Sequence, residues 1–176
     1  QKTAYEIRPR DWSSDVCSSD LMSLHHAIRR GRDTATLELL LAHGARPDII
    51  NIHNHTARRQ AIRFGRTELG MDAPEATRLD HWLHELWHGP AKRQAPEALG
   101  KQDHRLLPEA AYMRHYSAVE NMLAAGFPVE TVAHDELQAI DFAAYHQDER
   151  LAEILFGYGA SREAYRRALA WLAANG

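Results

Sequence analysis

The chain has 176 residues, 44% hydrophobic and 26% charged, which is enough apolar material for one buried core. A formal net charge of −3 argues against a nucleic-acid partner, and no apolar run approaches the ~18 residues that a membrane-crossing helix needs, so no membrane partner is expected either. Histidine, at 12 residues, must be weighed as metal ligand, pH-sensitive group or plain helix surface.

The opening QKTAYEIRPRDWSSDVCSSDL is polar and lacks the basic-then-apolar pattern of a secretory signal. QKTAYEI and DWSSDVCSSDL each resemble one reading frame of a common indexed sequencing-library adapter, with Ile7 to Arg10 spanning the index. Residues 1–21 are therefore read as a non-native segment, expected to be disordered or irregular, and 22–176 as the domain proper. Cys17, the sole cysteine, falls in that segment, so neither disulfides nor thiol catalysis is expected of the rest. The lack of cysteine and signal makes a cytoplasmic location the default.

From Ser23 the apolar residues recur at helical spacing. Leu24, Ala27 and Ile28 share one face of a short helix that Gly31 ends, and Leu37, Leu40 and Leu41 share one face of a second that Gly44 ends. His53, Asn54 and His55 fall in the connection that follows. Thr56, Ala61 and Gly65 mark the next short helix. Its companion starts late, with Asp72 as cap and Pro74 in the first turn, and carries the stripe Leu79, Trp82, Leu83 and Leu86 up to Gly89-Pro90. KRQAPEALGKQDHR, with Pro96 and Gly100, reads as a polar loop. Two further pairs follow, marked by Leu107, Ala110, Ala111, Leu123 and Gly126, then by Ile140, Ala143, Ala144, Leu155 and Gly159. Ser161 caps a final helix with Ala164, Ala168, Leu169 and Leu172 on one face and Arg162, Arg166, Arg167 and Ala170 on the other.

These markers repeat. Ala110-Ala111 and Gly126 return 33 residues later as Ala143-Ala144 and Gly159, and Ala27 and Gly31 return 34 residues later as Ala61 and Gly65. Neither helix of a pair can bury its stripe alone, and small alanines let neighbouring pairs approach closely enough to cover each other. With Leu24-His25, Leu40-Leu41-Ala42-His43-Gly44-Ala45 and the later Ala and Gly positions, the chain resembles the ankyrin-repeat family from Ser23 to about Ala160. The resemblance implies an all-α, ankyrin-type helical-repeat solenoid of about four helix-turn-helix units, at about 22–53, 54–104 with an insertion, 105–136 and 137–160, closed by a capping helix at 161–176. The chain departs from the family pattern in three places. Arg58 and Arg59 replace the expected Leu and His, Arg114 and Gln147 replace the glycine between helices, and Ala61 to Ala110 spans 49 residues, 16 more than one repeat.

His84-Glu85-Leu86-Trp87-His88 is a literal H-E-x-x-H, with His81 one turn earlier. On a helix the two imidazoles can share a zinc ion while the glutamate acts as general base, which would make a zinc-dependent hydrolase. The context argues against this. Gly89-Pro90 ends the helix at once, the position for a spaced third histidine holds Gln94, and Glu109, a possible acidic ligand, opens the next unit. The repeat register also accounts for His88 without metal: it aligns with His43 beside a helix-ending glycine, where an imidazole can meet free carbonyls. No metal and no cofactor is therefore expected.

The family resemblance implies a non-enzymatic scaffold for protein–protein interaction, acting as a monomer and binding another protein on the side formed by connections and first helices. The aligned positions are Arg29, Arg32, Asn54, His55, Arg66, Tyr112, Met113, His115, Tyr145, His146 and Asp148. Tyr112, Met113, Tyr145 and His146 are expected to form one continuous ridge, an expectation that fails if both tyrosines are fully buried. Phe64 and one of the tyrosines are expected to pack inward. A regulatory or targeting part of a larger protein is the remaining alternative.

Overall fold

The computed structural model describes residues 23–51, 53–66, 73–90, 94–133 and 136–175. The adapter-like segment 1–21 and the expected cap Asp72 lie outside the described residues. Within them every regular element is helical: α1 (Ser23–Arg29), α2 (Thr34–Ala42), α3 (Ala57–Arg63), α4 (Arg78–His88), α5 (Lys101–His104), α6 (Leu106–Tyr112), α7 (Tyr116–Ala124), α8 (Ala139–Tyr145), α9 (Glu149–Gly157) and α10 (Arg162–Asn175). The fold is all-α. None of these helices is long and apolar enough to cross a membrane.

Local chemistry sets the helix ends. At the C-termini of α1, α3, α6 and α8 the residue in left-handed conformation is Gly31, Gly65, Arg114 or Gln147, with φ between 51° and 67°. Each end closes with the same two hydrogen bonds. For α3 these are Gly65 N to Ile62 O at 2.9 Å and Arg66 N to Ala61 O at 2.8 Å, and for α8 Gln147 N to Ala144 O at 2.9 Å and Asp148 N to Ala143 O at 2.8 Å. After α1, α6 and α8 the next helix is capped within a residue or two: Asp33 accepts from Thr36 N at 2.8 Å and Asp148 from Leu151 N at 3.1 Å. Two connections between pairs match as well. Isolated antiparallel bridges join Ile50 to Thr56 and Val132 to Gln138, and Asn54 and Glu136 take positive φ at their tips.

Two boundaries differ from the sequence expectation. Pro74 stands in a turn before α4, not in its first turn. Thr77 is the cap and forms a capping box with Asp80, which accepts from Thr77 N at 2.7 Å. The stretch read as a polar loop contains α5, opened where Asp103 accepts from Gly100 N at 2.7 Å.

The first helices of successive pairs pack together at two ends of the fold, α1 on α3 and then α6 on α8 and α8 on α10. Among the second helices α4 packs on α7 and α7 on α9. Ala61, Ala110, Ala111, Ala143 and Ala144 are all buried, beside Leu83, Leu86, Leu107, Met122, Leu151 and Leu155. Between α1 and α6 the packing departs from a neighbour-only order. The end of α1 meets α6 directly: Met113 lies against Gly31 so closely that a Cβ there would clash with its sulfur. The terminal helix α10 turns Ala164, Ala168, Leu169 and Leu172 toward the body and leaves Arg162, Arg166, Arg167 and Ala170 exposed. Tyr165 packs edge-on to Phe156 with centroids 5.7 Å apart, while Trp171 is 58% exposed.

Candidate functional site

The surface with the most recognition-type chemistry runs across the C-terminal ends of α1, α6 and α8. Tyr112, the last residue of α6, is half-buried. One face meets the edge of Phe142, with centroids 5.4 Å apart, and the guanidinium of Arg30 lies 4.8 Å from its ring centroid. His146 donates from Nε2 to Tyr112 O at 2.9 Å, which holds its ring between Tyr112 and Tyr145, at 5.9 Å and 5.1 Å. Tyr145 is 47% exposed. Neither tyrosine is fully buried, and the three rings with Arg30 form a contiguous aromatic and cationic ridge. Phe64 is buried and stacks on Trp87.

The other aligned positions divide by what they touch. Met113 is half-buried against Gly31, at the inner edge of the ridge. Arg32 is exposed, and its carbonyl accepts from Arg66 Nη1 at 2.8 Å. Asn54 is exposed at the tip of its connection. Asp148 is buried, and its carboxylate caps α9 while Oδ2 accepts from Arg114 Nε at 2.8 Å and Tyr116 Oη at 2.7 Å. These bonds hold the carboxyl below the usual range against a burial that pushes it up. Asp148 therefore ties Arg114 and Tyr116 to the start of α9. His115 is exposed, caps α7 by accepting from Ala118 N at 3.3 Å, and lies edge-on to Trp87.

His55 and Arg29 flank the interior below the ridge. His55 accepts at its carbonyl from His25 Nε2 at 2.9 Å, and Gln60 Nε2 donates to His25 O at 2.7 Å, which ties α1 to the connection and to α3. Burial and then the charges of Arg63 and Arg59 push the His55 imidazole down to about 4. Behind it lies a buried ion-pair network. Asp80, at 0% exposure, accepts from Arg63 Nη1 at 2.7 Å and from Arg59 Nε at 2.7 Å, and Arg63 also pairs with Asp103. Burial raises the Asp80 carboxyl, but the Thr77 amide and the two guanidiniums outweigh it and hold the group down at about 2. Trp87 Nε1 donates to Arg63 O at 2.9 Å and anchors α4 to the same point.

The H-E-x-x-H imidazoles are engaged with the end of α3. His84 Nδ1 donates to Ile62 O at 3.2 Å and His88 Nε2 to Gly65 O at 3.0 Å, with ring centroids 4.6 Å apart. His88 thus meets carbonyls at a helix end, but those of α3 and not of its own helix; its counterpart His43 donates to Leu39 O within α2 at 2.8 Å. Burial lowers the pKa of His84. Glu85 is exposed. Among the described residues no three histidine, cysteine or carboxylate side chains converge on a point that could hold a metal ion.

Sequence reasoning did not mark Arg30 as a site residue above its neighbours, since its placement over Tyr112 depends on the α1–α6 contact. It missed Asp80 and Asp103 because they fall in or beside the inserted stretch. The capping pattern of a threonine followed three residues later by Asp80 was the one available signal. No known protein-family model matches the chain, and no curated protein is significantly similar to it in sequence.

Proposed function

We propose that this chain is a non-enzymatic, ankyrin-type scaffold that recognises another protein on the ridge formed by Arg30, Tyr112, Tyr145 and His146. The carrying observation is the ridge itself: two tyrosines, an imidazole and a guanidinium in contact, partly exposed and held by a rigid backbone bond. Tyrosine and arginine are enriched among the few residues that carry most of the binding energy at interfaces. Matching helix ends, matching bridged connections and the buried alanine doublets support the repeat reading behind this proposal.

A zinc hydrolase built on His84, Glu85 and His88 is the weaker reading. Both imidazoles donate to backbone carbonyls, and the described residues offer no third ligand.

Affinity capture with three forms of the protein tests the proposal: wild type, a ridge variant (Arg30→Glu with Tyr145→Asp) and a control altered on α10 (Trp171→Ser). A partner retained by wild type and control but lost by the ridge variant supports it. Equal retention by all three refutes it.

A further inference from the structure

A groove of about 400 Å³ runs between α9 and α10 and shares no lining residue with the ridge. We propose that this groove is the contact surface for a second copy of the chain, paired with it about a two-fold axis. Such a dimer departs from the monomer that the family resemblance implies, and it uses none of the ridge residues.

The packing of α9 stops short of that of its counterpart. α7 and α9 are both nine residues long and start 33 residues apart. α7 packs on both α4 and α9, and it buries Ala118, Val119, Met122 and Leu123. The same positions of α9 hold Leu151, Ala152, Leu155 and Phe156. The first three are buried. Phe156 is only half-buried and lines the groove, whereas its counterpart Leu123 is 5% exposed. On the α10 side Tyr165 meets the Phe156 ring edge-on, and Arg162 lies 4.2 Å from its centroid. Ala152, Tyr165 and Leu169 continue the apolar strip along the groove.

Charge identifies what covers this strip. Glu149 and Glu153 stand about one turn apart on the α9 wall, and Arg162 and Arg166 about one turn apart on the α10 wall. All four are exposed. Glu153 and Arg162 pair within the chain at 3.5 Å. The side chains of Glu149 and Arg166 line the same groove, yet among the described residues they pair neither with each other nor with another group. Two acids on one wall and two bases on the other make a neutral surface whose complement carries the same rows in reverse order. A two-fold rotation of this surface supplies that complement, because an isologous contact sets residue i against j and j against i. Glu149 of each copy then faces Arg166 of the other, while Phe156, Tyr165 and Leu169 of both copies close over one another. The apolar centre carries the affinity, and the exposed ion pairs, individually weak, fix the register.

Sedimentation equilibrium of the full chain up to about 0.2 mM reads the association directly, since interfaces of ordinary size span micromolar to picomolar affinity. A reversible monomer–dimer equilibrium is expected. A monomer throughout, or assembly past the dimer, overturns the proposal. Phe156→Glu should weaken the dimer about thirtyfold or more, as loss of a central anchor does. Arg166→Glu and Glu149→Arg each place two like-charge contacts across the axis and should each weaken the dimer about tenfold. Both sites are exposed, so the far-UV circular dichroism of these variants should match wild type. An equimolar mixture of the Arg166→Glu and Glu149→Arg proteins regains both opposite-charge contacts in the heterodimer and should return to within about threefold of wild-type affinity. Single variants as tight as wild type, or a mixture no tighter than either variant alone, overturn the pairing. Tyr145→Asp on the ridge should leave the dimer unchanged. A dimer lost in that variant and kept in Phe156→Glu overturns the assignment to this groove.

Discussion

Gly65 and Gln147 occupy the same left-handed backbone at equivalent helix ends, with φ of 67° and 51° and the same pair of closing hydrogen bonds. They should therefore respond to substitution in opposite directions. In Gly65→Ala the left-handed conformation costs about 1–2 kcal/mol. The added Cβ would stand 2.5 Å from Trp87 Cβ and 2.6 Å from its Cγ. Trp87 is buried and pinned through its indole to Arg63 O, so it cannot withdraw. Overpacking then adds about 1–3 kcal/mol, and the stiffer unfolded chain returns about 0.4–1 kcal/mol. The net loss is about 3 kcal/mol. Gln147→Gly removes the backbone strain, loses the same unfolded-state term and touches nothing buried, so it should stabilise by about 0.5–1 kcal/mol. Urea denaturation followed by far-UV circular dichroism gives both values, and an unchanged slope would show that only stability moved. A Gly65→Ala protein within about 0.5 kcal/mol of wild type would refute the argued contact with Trp87. A destabilised Gln147→Gly would refute the equivalence of the two helix ends.

Asp80→Asn takes from the buried Arg63 one of its two carboxylate partners and from Arg59 its own, and should cost about 3 kcal/mol in the same urea assay. Thr77→Ala removes one arm of the α4 capping box and should cost about 1 kcal/mol, readable as a lower urea midpoint. Acid should destabilise the fold in two stages. The native His55 refuses a proton that the unfolded chain accepts, so its contribution is complete above pH 6.5 and is lost as pH falls toward 4. Burial depresses His26, His53, His84 and His115 in the same direction and steepens that stage. Asp80 adds a second loss between its unfolded value near 3.8 and about 2. Thermal melts across this range check the sign, and a melting point that rises on acidification from pH 7 to 4.5 would contradict it.

Much of the helical pattern was legible because it rests on local periodicity. The stripe Leu79, Trp82, Leu83 and Leu86 is buried as its spacing requires, and so are the alanine doublets. Arg114 and Gln147 looked like breaks in the pattern, yet they adopt the glycine conformation because the closing hydrogen bonds and the packing of α6 on α8 impose it. What was not legible depends on distant partners. Lys101–His104 is polar and short, and it is helical where Asp103 caps its own helix and pairs with Arg63, 40 residues earlier. Asp148 was among the aligned binding positions, but the sequence could not show that Arg114 and Tyr116 would draw it inward. The ridge tyrosines were found by register, and their cationic neighbour Arg30 was not, since that contact crosses from α1 to α6.

That crossing links the inserted stretch to the ridge. In a uniform stack each pair touches only its neighbours, and residues of the first pair would not reach the third. Here Arg29, Arg30 and Gly31 meet Glu109, Tyr112 and Met113 in register. The stretch between α3 and α6 contributes Asp80 and Asp103, the two carboxylates that neutralise Arg63 where α3 faces α5. Without them, a buried guanidinium at that point would draw in water and hold the elements around it apart. Asp80 from α4 and Asp103 from α5 thus meet the charge of Arg63 in the interior, while the contacts of α1 with α6 make one aromatic and cationic surface out of helix ends far apart in the sequence.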